Sequence, residues 1–159
     1  MSQRAQDLEE RFKVFNNEVI RFVEACSEEQ WDKVCAEEWS LGVVARHIGA
    51  GHYTGAADMA KMIVAGEKMP ELTMEQIGEI ANTHAREHAD CSRAEVLDLL
   101  NSNGAALADY VAGLDDAELD RSAHMQLVGG DVSAQQLIEM VIFESGGEHF
   151  ANMKKALAA

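Results

Sequence analysis

Residues 3–26, QRAQDLEERFKVFNNEVIRFVEAC, place Leu8, Phe12, Phe15, Val19 and Phe22 at alternating spacings of four and three. That spacing keeps all five apolar side chains on one stripe of an α-helix, and a stripe of this kind has to be covered by other helices. The rest of the chain supplies them. Ser40 opens a second helix running to about Ala65, with Leu41, Val44, Ile48, Gly55, Met59 and Met62 on its inner side. Thr73-x-x-Gln76 reads as a capping box for a third helix to about Ala89, and Ser92-x-x-Glu95 as another for a fourth. In that fourth helix Val96, Leu99, Leu100, Leu107, Tyr110, Val111 and Leu114 face inward. A looser stretch from Asp115 to Asp131 follows, with room for a short helix at Asp116 to Asp120. Gly129-Gly130 then turns the chain, and Ser133-x-x-Gln136 starts a last helix ending near Leu157. One proline and almost no alternating β-branched runs leave little else. The expectation is an all-α, single-domain four-helix bundle with a longer connection before the last helix.

A chain of 159 residues, 47% of them hydrophobic, can bury a core without disulfides or a structural metal. Its formal charge of −15, from 28 acidic against 13 basic residues, opposes both nucleic acid and anionic membrane surfaces as partners. No apolar run approaches the roughly 20 residues that span a bilayer. Cys26, Cys35 and Cys91 are odd in number and lack a CxxC spacing, which fits reduced thiols and a cytoplasmic protein.

Chemistry concentrates in two helical segments. The first is Trp39-Ser40-Leu41-Gly42-Val43-Val44-Ala45-Arg46-His47-Ile48, and the second is Ile142-Phe143-Glu144-Ser145-Gly146-Gly147-Glu148-His149-Phe150. Each sets a histidine into an apolar helix pattern, and a buried polar cluster of that type calls for a partner such as a divalent ion. Four further histidines occur: His52, His84, His88 and His124. His84 and His88 form an i, i+4 pair, but among Arg86, Glu87 and Asp90 they read as a solvated face. His52 competes with His47, since either could face inward from the second helix, but they are about 140° apart on an ideal helix, so they are not expected to serve one site together. In the last helix Glu144 and His149 diverge unless Gly146-Gly147 carries a π-bulge, which would bring them to one side. The competing pattern is a stripe of Ile138, Ile142, Ser145, His149 and Met153, which leaves Glu144 and Glu148 partly solvated.

These residues resemble the DinB-like superfamily, near the branch of mycothiol-dependent maleylpyruvate isomerase N-terminal domains. The similarity rests on Trp39-Ser40 leading to His47, on His149-Phe150-Ala151-Asn152-Met153, and on the segment from Ile80 through Asp120. It implies a four-helix bundle with a divalent metal, zinc or nickel, on a helix-two histidine and two last-helix residues in a His-x3-His pattern, or with a carboxylate first. Here those positions are His47, Glu144 and His149. Counting back four from His149 reaches Ser145 instead, a departure that an insertion at the glycine pair would repair.

Two functions compete. The resemblance implies a metal-dependent thiol transferase or isomerase acting on a small molecule, with a low-molecular-weight thiol as partner. Glu148, Asn82 and Tyr53 would then line the pocket. The alternative is a non-catalytic, stress-associated helical bundle that forms a homodimer, with a degenerate or empty metal site.

Overall fold

The computed structural model describes residues 2–158. Helices α1 (Gln3–Ala25) and α2 (Glu28–Trp31) come first, followed by α3 (Leu41–Arg46), a π-helical turn (His47–His52) and α4 (Tyr53–Ala65), which run on as one rod. Then come α5 (Met74–Glu87), α6 (Arg93–Ala112) and α7 (Asp116–Asp120). Strands β1 (Ser122–Met125) and β2 (Gly130–Ser133) form a hairpin that leads into α8 (Ala134–Glu139), a second π turn (Met140–Gly146) and α9 (Gly147–Ala158). Among the described residues the chain is thus all-α apart from one small two-stranded sheet.

Four rods make the bundle: α1, residues 41–65, α6, and residues 134–158. Helix α1 lies along α6, α4 packs on α6 and α8, and α3 packs on α9. The predicted α1 stripe meets the last rod through aromatic edges, Phe15 against Phe143 and Phe150, and Phe22 against Phe150. Helix α5 is not one of the four. None of its residues is buried, and Met74 and Ile80 stay exposed, so it leans on the outside of the bundle.

Capping decides where most of these elements start. Thr73 with Gln76 and Ser133 with Gln136 form the expected reciprocal boxes. Ser92 completes only half of its own: its hydroxyl accepts from the Glu95 amide, while the Glu95 carboxylate lies toward Arg46. The region read as loose holds the β1/β2 hairpin, whose strands are only four residues each, so the alternation of exposed and half-buried residues in β1 is too brief to stand out in the sequence. Gly129 makes its turn with φ +67, a conformation open to glycine.

Both π turns shift the register of the rods they interrupt. The predicted inner face of the second rod, Gly55, Met59 and Met62, is displaced by one residue to Ala56, Ala60 and Ile63. An extra residue in one helical turn does this, because every later side chain moves round by one position. In the last rod the buried set Ile138, Ile142, Gly146 and Phe150 advances in fours, wider than an α-helix alone would keep on one face.

Close backbone approaches fix the neighbouring layers. A Cβ on Gly104 would lie 2.2 Å from Nδ2 of Asn16, and one on Gly42 would lie 2.4 Å from the Trp31 indole. Asn16 is buried, donates to the Leu100 carbonyl at 3.2 Å and accepts from the Tyr53 hydroxyl at 2.8 Å. Trp31 donates to the Cys91 carbonyl at 3.0 Å. These polar contacts satisfy groups that would otherwise be buried without partners.

Candidate metal centre

The sequence HIGAGH at 47–52 forms the first π turn. Its i→i+5 hydrogen bonds, seen where the Tyr53 amide reaches the Ile48 carbonyl, stack residue 52 one turn beyond residue 47. The π turn therefore places His47 and His52 on the same face, correcting the expectation that a helical wheel keeps them apart. Asn103 of α6 braces the turn by donating to the Gly49 carbonyl at 3.0 Å.

His149 completes the group. Ring centroids are 4.7 Å apart for His47 and His52, 5.0 Å for His47 and His149, and 5.0 Å for His52 and His149. The planes are nearly perpendicular to one another, and one ring nitrogen from each lies within 4.8 Å of the others. Imidazoles converging in this way form a donor set able to hold a divalent transition-metal ion, and three protein ligands leave a position open.

Each ring is held from behind. A Cβ on Gly51 would stand 3.1 Å from Nδ1 of His47, so glycine leaves the ring its place. The Trp39 indole meets His47 edge-on at 5.2 Å and stacks on His149 at 6.4 Å. Ser145 lies 2.8 Å from Nε2 of His52, and Nδ1 of His52 faces the His47 carbonyl at 3.4 Å. With Nδ1 protonated, Nε2 keeps a lone pair, which Ser145 engages here and an ion would engage instead.

Glu37 is the outer partner of His149. Its Oε2 lies 2.5 Å from Nδ1 of His149 and accepts from Asn152 at 3.1 Å, whereas Oε1 is buried with no hydrogen-bond partner. A carboxylate on one nitrogen fixes the tautomer and leaves Nε2 of His149 free as a ligand. The loop carrying Glu37 is tight: Glu38 has φ +66, and the Cys35 amide donates to the Trp39 carbonyl at 2.9 Å. This turn presents Glu37 and Trp39 to the same cluster. Replacing Glu37 by glutamine is expected to weaken metal binding by roughly 10- to 100-fold, measured by competition with a chelator, while leaving the fold intact.

Burial is the main cause that lowers His47 from 6.5 to about 3 and His52 from 6.5 to about 4, with repulsion from neighbouring imidazoles adding to it. Both rings are therefore neutral near pH 7, the form that binds metal. On unfolding they regain the ordinary value of 6.5 and take up protons. Stability of the metal-free protein should be full above pH 6.5 and fall as pH drops toward 4 and then 3. Urea midpoints across that range check this, and a flat profile would contradict burial of the rings.

The other expected site residues lie elsewhere. Glu144 is exposed on a separate surface groove beside Arg11 and Phe143, and Glu148 is exposed. The reason is that the second π turn spans residues 140–146, ahead of the glycine pair's end, so the shifted register aims Ser145 rather than Glu144 at the histidines. Tyr53 points into the core toward Asn16 and Phe12. Asn82 accepts from the Trp39 indole at 3.1 Å and so touches the cluster only through that ring. Sequence reasoning missed Glu37 and set His52 against His47 rather than beside it. A glycine-rich run between histidines five apart, matched by Gly146-Gly147 before His149, was the available signal for His52.

A helical bundle with three converging histidines, His52 buried and His47 and His149 half-buried, drawn from its second and last rods defines a class of protein equipped to hold a divalent ion. The chain belongs to the DinB superfamily, whose pattern matches residues 11–149. No curated protein and no solved structure gives a significant match. No helix among the described residues is long and apolar enough to cross a membrane.

Proposed function

We propose that this protein binds zinc or nickel through His47, His52 and His149 and acts as a thiol-dependent transferase or isomerase on a small molecule. The observation that carries the reading is the convergence of three imidazoles, those of His47 and His52 held neutral by burial, with an open side. A divalent ion bound there lowers the pKa of a coordinated thiol or water, which makes a nucleophile available near neutrality. Glu37 orients His149, Trp39 shields two of the rings from solvent, and Ser145 supplies a hydroxyl at the edge of the cluster. The branch of mycothiol-dependent maleylpyruvate isomerases is the relative this reading favours, with His52 replacing the last-helix ligand that Ser145 cannot provide.

Cobalt-substituted protein tests the thiol part. Addition of 2-mercaptoethanol is expected to produce a near-ultraviolet charge-transfer band that is absent without cobalt. A cobalt-loaded protein whose spectrum ignores thiols would contradict it.

A further inference from the structure

The β1/β2 hairpin is a two-stranded sheet, so each strand has one edge without a partner strand. The Ala134 amide donates to the Arg121 carbonyl at 2.8 Å, which in this register makes Ala123 with Val132 and Met125 with Gly130 the hydrogen-bonded pairs. Asp131, opposite His124, therefore turns both its N–H and its C=O away from β1. Ser133 turns outward too, but its amide donates to Oε1 of Gln136 at 2.9 Å. On β1 the outward residues Ser122 and His124 face the 66–71 segment across a cleft of about 310 Å³. A chain segment lying across an edge is one way a fold protects it from pairing. The Asp131 edge has no such cover among the described residues: it opens on a groove of about 580 Å³ between β2 and the last rod.

Val128, Met140 and Phe143 give this groove an apolar lining, and Val128 is 43% exposed. Its free charge is acidic. Arg11 is engaged by Glu139 at 2.8 Å and by the Phe143 ring, whose centroid is 4.5 Å from the guanidinium carbon. Asp131 on the strand side and Glu144 on the rod side have no lysine or arginine partner among the described residues. We propose that the groove is a docking site for an extended segment of a partner protein in which lysine or arginine alternates with apolar residues. The segment adds a third strand to β2. Its residue opposite Asp131 exchanges both backbone hydrogen bonds with it and, lying on the same face, sets a cation beside the Asp131 carboxylate. The residues on either side fall on the Val132 face and carry apolar side chains toward Met140 and Phe143. A second copy of this chain fits less well, because its charge of −15 repels an acidic groove. The histidines lie outside this groove, so the proposal stands whether or not they hold a metal.

Heteronuclear NMR titration of the protein with a capped pentapeptide alternating lysine and valine tests this. The Asp131 amide should shift most. Binding should weaken about fivefold when the lysines are N-methylated, since that removes the hydrogen bond to the Asp131 carbonyl. N-methylation of the valines, whose amides point away from β2, should leave the affinity within about twofold. A lysine and serine peptide of the same charge should bind about tenfold more weakly, for want of apolar contact. Asp131→Asn combined with Glu144→Gln should weaken binding at least about threefold. Both side chains are exposed, and the spectrum of the free variant reports its fold. No shift at Asp131, equal binding of the peptide N-methylated at lysine, or equal binding of the serine peptide would overturn the proposal. Asp131 signals that move with protein concentration in the absence of peptide would assign the groove to a second copy and overturn it too.

Discussion

His52→Ala is expected to strip the protein of its divalent ion as thoroughly as His47→Ala or His149→Ala, while Glu144→Ala leaves the metal content unchanged. The three imidazoles are nearly equidistant, so each would supply one of three protein bonds to the ion. Loss of any one should cost more than the roughly 10- to 100-fold that removal of an outer-shell partner costs. Glu144 is exposed beside Arg11 and Phe143, away from the rings. Elemental analysis of untagged wild type and the four variants is the check. Metal lost in Glu144→Ala but retained in His52→Ala would restore the two-histidine, one-carboxylate site that the sequence pattern suggested.

The largest stability effect should come from Gly104→Ala. The new Cβ would stand 2.2 Å from the Asn16 amide, which is buried and already committed to the Leu100 carbonyl and the Tyr53 hydroxyl. Overpacking of this kind costs about 1–3 kcal/mol, and pushing Asn16 off its partners leaves buried groups unsatisfied at a similar cost. A loss of roughly 2–4 kcal/mol follows, or a fall in Tm of about 5–15 °C for a domain of this size. Tyr53 directly follows the His47–His52 turn, so the variant should also bind metal less tightly. Urea denaturation reads the first effect. A midpoint within experimental error of wild type would show that Asn16 can move freely.

The α1 stripe, most caps and the bundle class were legible because apolar periodicity and cap chemistry are local. The π turn at His47–His52 was not, and the one in the last rod was read several residues too late, since such turns depend on contacts from other helices, such as Asn103 on the Gly49 carbonyl. An ideal period carried through His47–His52 put Gly55, Met59 and Met62 inward and separated the two histidines. The observed turn buries Ala56, Ala60 and Ile63 and unites them. The same physics explains Glu144: a shift placed at Gly146-Gly147 would face it inward, whereas a turn begun at Met140 faces Ser145 inward. Glu37 lay outside any helical pattern, on a loop whose shape is set by the left-handed Glu38. The family resemblance located His47 and His149 by motif, but a motif built on a last-helix ligand had no place for a second histidine from the second rod.

The most direct measurement is a crystal structure of zinc-loaded protein with an anomalous difference map at the zinc edge. One peak is expected, about 2.0–2.1 Å from a ring nitrogen of each of His47, His52 and His149, with Glu37 on the far nitrogen of His149. A zinc ion held by Glu144 in place of His52, or no peak after loading, would contradict the three-histidine centre.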